Sequence, residues 1–181
     1  MVKQLGQRMT DWVTRFDSPI GWLSVVVDGD GAVKLLHFGR LEQFGAREDA
    51  AAAAPVRAQL NEYFAGERKA FDLELAPEGT EFQRAVWNGL LTIPYGRTAS
   101  YGELAERVGY KGAFRAVGAA NGANPIAVIM PCHRVVGSDG RLTGFGGGIP
   151  IKAALLALEG VLSPDVAAVA DRRTRIGATL L

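Results

Sequence analysis

Two kinds of hydrophobic spacing divide this chain. Up to about residue 76, short apolar runs are broken by turn residues. Residues 12–16, 22–27 and 32–38 read as strands. Ser18-Pro19-Ile20-Gly21 supplies one turn, and Asp28-Gly29-Asp30-Gly31 supplies a hairpin loop between the second and third strands. After the alanine-rich stretch 50–54, Val56, Leu60, Tyr63 and Phe64 recur at helical spacing, with Pro55 suited to a first turn and Gly66 to the end. Phe71, Leu73 and Leu75 alternate with Asp72 and Glu74, as on a half-buried strand. From Thr80 the period changes to that of helices. Thr80 with Gln83 and Ser100 with Glu103 are capping-box pairs, and Pro94 stops the first of the two helices. A helix over 101–108, a glycine turn over 109–112 and a helix over 113–121 make a helix-turn-helix layout.

The pattern predicts an α/β N-terminal domain (residues 1–76, antiparallel strands plus a helix) and a short linker (77–79). A mostly α-helical C-terminal domain (80–162) and a tail (163–181) follow. In the tail, Ser163-Pro164 suits a helix start and Arg172-Arg173-Thr174-Arg175 suits disorder. Net charge is +1, but residues 1–79 hold 9 basic and 12 acidic side chains, whereas residues 80–160 hold 8 and 5. The basic half could face phosphate, although so small an excess is weak support for nucleic acid. One cysteine excludes an internal disulfide and suits a reducing compartment. Residues 1–9 carry charges without the apolar core of a secretory leader, and no apolar run reaches the length of a membrane span. The expected location is cytoplasmic.

The candidate chemistry sits at Pro131-Cys132-His133-Arg134-Val135. Cys132 is the only thiol, and His133 beside it is one of two histidines, the other being His37. A thiolate is the reactive form, and an imidazole is a usual means of generating it. A lone cysteine is more often a small buried hydrophobe, so the pair alone decides little. The apolar run 126–130 predicts a buried strand leading to the thiol, and the glycines from Gly137 to Gly148 predict a loop beside it.

The wider context resembles the O6-alkylguanine-DNA alkyltransferases. The resemblance rests on Ile129 to Gly137 around the cysteine and on Arg115-Ala116-Val117-Gly118, Asn121 and Asn124-Pro125 upstream. Thr92-Ile93-Pro94-Tyr95-Gly96 and Ser100-Tyr101 precede these, and Gly144-Phe145-Gly146-Gly147-Gly148 and residues 155–160 follow. It implies single-turnover DNA repair, in which the alkyl group of O6-alkylguanine, with O4-alkylthymine as a further candidate, moves to Cys132. By resemblance, His133 is the base acting through a water, Glu159 orients it, Tyr101 donates to the departing guanine and Asn124 braces the site. The helix carrying Phe114, Arg115, Ala116 and Gly118 enters the minor groove of double-stranded DNA. There Arg115 fills the space left by a flipped base, and Tyr101 also faces the DNA. Met130, Val135, Gly144, Phe145, Gly146 and Gly147 line the pocket.

The resemblance implies no cofactor and no metal, and a monomer that could bind DNA cooperatively. The zinc ligands of some relatives' N-terminal domains are missing here. Phe114 stands where relatives usually carry a small residue, and Gly146 where some carry serine. The rival reading of Cys132 and His133 is a cysteine hydrolase or acyl-transfer enzyme.

Overall fold

The computed structural model describes residues 11–41 and 47–165. The expectations about residues 1–9 and about Arg172-Arg173-Thr174-Arg175 lie outside them.

The N-terminal sheet has the order β3–β2–β1–β4, with β1 Trp12–Phe16, β2 Leu23–Val27, β3 Val33–Phe38 and β4 Arg47–Glu48. The first three are antiparallel neighbours; β4, too short to show periodicity, pairs parallel to β1. In the β2–β3 loop the Asp28 carboxylate accepts from the amides of Asp30 and Ala32, and Gly31 adopts a φ of 90°. All five residues of β2 are buried, because it lies inside the sheet with both faces covered.

Helix α1 (Ala54–Phe64) has its proline in the first turn and buries Val56, Leu60 and Tyr63. The strand expected over 71–75 is absent apart from a single bridge between Leu75 and Val33. The reason lies in the free edge of β3. Val33 bonds the backbone of Glu74 and Ala76, but at Leu36 the same edge is taken by Pro125 and Ala127. Because the bridge is parallel, residues 71–74 run alongside residues 29–32, which belong to the hairpin loop before β3 and offer no strand, while the edge beyond the bridge is occupied at Leu36.

Both capping boxes form, at the starts of α2 (Glu81–Leu91) and α3 (Tyr101–Arg107). After α3, Gly109 and Gly112 take left-handed backbone and turn the chain into α4 (Phe114–Gly122). The Trp87 indole N–H donates to the Ala120 carbonyl at 2.8 Å and ties α2 to α4. A two-residue parallel ladder joins β5 (Ala99–Ser100) to β6 (Val135–Val136), and α5 (Ile149–Leu158) closes the described fold. One apolar cluster contains Val25, Val33 and Leu36 of the sheet together with Trp87, Leu90, Ile126 and Leu155. The two halves therefore share a core.

Gly89 on α2 faces α3, and a β-carbon there would overlap Val108 Cγ1 and touch Leu104. Alanine gains about 1 kcal/mol of helix propensity over glycine, but overpacking a core costs about 1–3 kcal/mol. Gly89→Ala should therefore lower stability in urea denaturation. Gly122→Ala, where the β-carbon meets nothing, should leave stability unchanged or raise it.

Candidate active site

The run 126–130 is buried as expected, but it is not a strand. Ile129 N bonds Ala127 O across Val128, whose φ is 70°, and Met130 N bonds Ile126 O. A β-branched residue in left-handed backbone costs about 1–3 kcal/mol. Pro131, at φ −81° and ψ 64°, makes an inverse γ-turn closed by Cys132 N to Met130 O. A single 3-10 turn, Cys132–Arg134, follows.

The surroundings hold these tight turns in place. Asn124 donates to Met130 O at 2.8 Å and accepts from Ile126 N at 3.0 Å, stapling both ends of the segment. Leu36 of β3 bonds Pro125 O and Ala127 N on the opposite side. The outcome is a thiol 5% exposed in the wall of a cavity of about 380 Å³. Asn121, Asn124, Gly144, Phe145 and Gly146 also line it, and β3 contributes His37 and Phe38.

His133 points the other way, into the protein, and is fully buried. Its Nε2 lies 2.9 Å from Glu159 Oε1. Glu159 follows α5 and is itself buried. Arg134 donates from Nε to both carboxylate oxygens and from Nη2 to Oε1, while its Nη1 holds the Ile93 carbonyl at 2.6 Å. The Tyr63 hydroxyl donates to Oε1 at 2.7 Å, and Gly96 N donates to Oε2 at 3.2 Å. Burial alone would raise the Glu159 pKa. The hydrogen bonds from His133 and Arg134 and their charges outweigh it, holding the carboxyl at about 2.

Glu159 is therefore ionised and can only accept, so His133 Nε2 carries the proton. His133 Nδ1 is left with a lone pair and has no protein partner. Burial depresses the His133 pKa despite the carboxylate, so the ring is a neutral base at neutral pH. Burial also raises the pKa of the Cys132 thiol, opposed by a hydrogen bond from Asn124 and by the charge of Lys152. The arrangement can take a proton from sulfur onto Nδ1. Since the adjacent side chains point apart, a water suits the transfer.

The helix face expected to meet DNA is open. Phe114 is 53% exposed, and Arg115, Ala116 and Ala119 are exposed with it. Val117, Ala120 and Asn121 turn inward. The small residues of α4 thus divide between packing, at Ala120, and leaving a low outer surface, at Ala116 and Ala119. The Gly118 β-position lies 3.6 Å from the Tyr101 ring, whose hydroxyl is 2.9 Å from Thr143 Oγ1. Tyr101, Phe114, Arg115, Gly118 and Thr143 border a second, shallower cavity of about 420 Å³. Both cavities are lined by Gly122 and Gly144, so the thiol cavity adjoins the exposed helix.

Three expected pocket residues are elsewhere. Met130 and Val135 are buried in the core, offering their carbonyls to Asn124 and Lys152, because the γ-turn points the Met130 side chain inward. Gly147 lies against the Phe38 ring, which leaves no space for a β-carbon. Four residues of the site were not singled out by sequence. Arg134 stood in the motif beside His133. Lys152 was a lone cation in the apolar stretch 149–156, and its buried ammonium holds Val135 O at 2.6 Å and Thr143 O at 3.1 Å. Tyr63 and Phe38 carried no signal beyond core spacing.

Glu159 should make the fold acid-sensitive. Its pKa is lowered from 4.5 to about 2, so its stabilisation is complete above about pH 4.5 and is lost as pH falls toward 2. Glu159→Gln leaves Arg134 buried without its counter-charge and should cost about 3–5 kcal/mol at pH 7. In denaturation the gap between wild type and variant should narrow as the pH is lowered. A gap independent of pH would contradict the assignment.

Over residues 81–161 the chain matches the DNA binding domain of 6-O-methylguanine DNA methyltransferase, and over residues 13–77 its ribonuclease-like domain. The methylated-DNA–protein-cysteine methyltransferase of Mycobacterium bovis is 53% identical over 154 residues, covering 82% of this chain and 92% of the relative. The crystal structure of Mycobacterium tuberculosis OGT in complex with DNA has a TM-score of 0.78 at 49% identity, over 82% of this chain and 93% of that chain. The O6-methylguanine-DNA methyltransferase of Pyrococcus kodakaraensis, at 23% identity and a TM-score of 0.51 over 84% of this chain and all of that one, shares the fold. With both halves matched in order and the relatives covered almost end to end, the chain belongs to the 6-O-methylguanine DNA methyltransferase family.

Proposed function

We propose that this protein repairs DNA by direct reversal, moving the alkyl group of O6-alkylguanine onto Cys132. The observation that carries the proposal is the placement of the only thiol. It lines a cavity that adjoins the exposed face of α4, and an imidazole with a free, buried lone pair sits next to it in sequence. The thiolate attacks the saturated alkyl carbon, the sulfur–carbon bond forms as the carbon–O6 bond breaks, and the electron pair leaves on guanine. His133 Nδ1 takes the thiol proton through a water. Tyr101 borders the second cavity, and its hydroxyl donates to the departing base. The resulting thioether offers no leaving group for hydrolysis, so each molecule reacts once. No separate observation favours the cysteine-hydrolase alternative.

A base stacked in a duplex cannot reach a thiol that is 5% exposed, so the nucleotide must rotate out of the helix at a cost of a few kcal/mol. In this reading α3 and α4 act as a helix-turn-helix with α4 in the minor groove. Arg115 enters the vacated space, and Phe114, Ala116 and Gly118 lie along the groove. Gly144, Phe145 and Gly146 face the flipped base, and Asn124 holds the cysteine turn. Residues 80–162 carry the DNA contacts and the thiol, with residues 1–76 behind them. The protein works as a monomer in the cytoplasm, wherever DNA is accessible. Among the described residues no helix is long and apolar enough to cross a membrane.

Intact-mass spectrometry after mixing with O6-methylguanine duplex should find one methyl group added to the wild type and none to Cys132→Ser, which should still bind the duplex. Methylation of the serine variant, or turnover without an adduct, would overturn the proposal.

Arg115→Ala should slow repair of duplex strongly, because the cost of extrusion loses its offset. It should weaken duplex binding only modestly, since one cation contributes about one counterion to the salt dependence. Reaction with free O6-benzylguanine, which needs no flipping, should be nearly unchanged. Equal loss on duplex and free base would place Arg115 in the pocket or the fold instead.

A further inference from the structure

Tyr63 belongs to α1, in the half of the chain remote from the thiol, yet its hydroxyl ends on the carboxylate oxygen that His133 uses. Glu159 Oε1 accepts from Tyr63 Oη at 2.7 Å and from His133 Nε2 at 2.9 Å. The partners are 96 residues apart in sequence. The Tyr63 ring has no freedom to leave. It is fully buried and packed against Phe64, Phe71 and Tyr95, with ring centroids 5.5, 5.4 and 6.1 Å away. Phe71 and Tyr95 reach it from the segments before α2 and before β5, so the hydroxyl is aimed by three parts of the fold.

We propose that Tyr63 is a positioning residue of the thiol chemistry, a hydroxyl on α1 that fixes the Glu159 carboxylate and sets how much of its negative charge reaches His133. The proposal rests on His133 being the base for Cys132. Tyr63 and His133 share this oxygen with the Arg134 guanidinium, and donors on one oxygen compete for the same electron density. A stronger bond from Tyr63 leaves less charge to stabilise the imidazolium that forms when sulfur loses its proton, and a weaker bond leaves more.

The other charged and titratable groups around the carboxylate are accounted for. From the cysteine turn come His133 and Arg134, and from α5 comes Lys152, whose ammonium is held by Val135 and Thr143. Tyr95 spends its hydroxyl on the Leu158 carbonyl at 2.9 Å. Arg134 is permanently charged and fixed at both ends. Tyr63 is thus the neutral donor whose strength can be changed without adding or removing a charge. Burial, and then the charge of Glu159, push its acidity far beyond the ordinary range, so it remains a donor throughout the working pH range.

The test is the pH dependence of Cys132 labelling by iodoacetamide in the full chain, which reads thiol ionisation without DNA or alkyl transfer. Tyr63→Phe keeps the ring and removes the donor. Its labelling midpoint should fall by about half a pH unit, or about threefold more thiolate at a given pH below the midpoint. Replacing Tyr63 by 3,5-difluorotyrosine keeps the ring contacts and makes the hydroxyl a stronger donor, so the midpoint should rise. A purely structural hydroxyl would change the melting temperature in Tyr63→Phe and leave both midpoints where they were, which would overturn the proposal, as would shifts of the same sign. If Tyr63→Phe fails to fold, the fluorinated protein decides alone: an upward shift supports the proposal, and an unmoved or lowered midpoint overturns it. Methyl transfer to the wild type, measured beside it, separates failure of the repair reading from failure of this one.

Discussion

The Glu159 carboxylate is the constraint on which the site depends. It is buried, ionised and surrounded by donors from three places: the cysteine turn, which supplies His133 and Arg134, helix α1 and the backbone at Gly96. A buried charge is tolerated only when it is fully hydrogen-bonded and paired, so each donor must be present at once. This requirement fixes the 3-10 turn against α5 and brings the N-terminal half into the site. It also dictates the protonation pattern. With the carboxylate ionised, Nε2 of His133 must donate, and the lone pair must sit on Nδ1, the nitrogen left without a partner. Burial is what keeps His133 a base rather than a standing cation, and the charge of Arg134 works in the same direction against the pull of the carboxylate.

A second constraint acts on the other side of the thiol. The chain approaching Cys132 passes through two tight turns, one with Val128 in left-handed backbone. Such strain persists only where the surroundings over-determine it. Asn124 and Leu36 do so by bonding the segment from both sides. The sheet edge at β3 is thereby both a wall of the cavity and a brace for the nucleophile. Phe38 pairs with Phe145 at 5.4 Å and closes over Gly147, so the glycine-rich loop is also held by the N-terminal half. The exposed face of α4 carries no such burden. Phe114 and Arg115 are free to be exposed because Val117, Ala120 and Asn121 do the packing.

Local signals were legible in the sequence, and long-range ones were not. The two capping boxes, the Asp28–Gly31 hairpin and the proline at the start of α1 each depend on residues within a few positions, and each formed as read. The segments 71–75 and 126–130 have strand-like composition, but whether such a segment pairs is decided by which edge is free. Here β3 divides its edge between them. Met130 and Val135 sit beside the cysteine in sequence, yet the γ-turn sends the Met130 side chain into the core. Glu159 was legible through its motif position. Its partners Tyr63 and Arg134 were not, because an apolar-spaced tyrosine and an arginine in a basic-looking motif give no hint of a shared carboxylate.

The central claim is that burial keeps His133 neutral against the pull of the ionised Glu159, which fixes the ring with its proton on Nε2 and with Nδ1 free. The chain has only two histidines, so nitrogen-15 NMR of histidine-labelled protein can read this directly. The account predicts that at neutral pH the His133 ring shows one protonated nitrogen, assigned to Nε2, and one bare nitrogen, assigned to Nδ1, with any titration below the ordinary histidine range. A ring that is doubly protonated at pH 7, or that carries its proton on Nδ1, would contradict it.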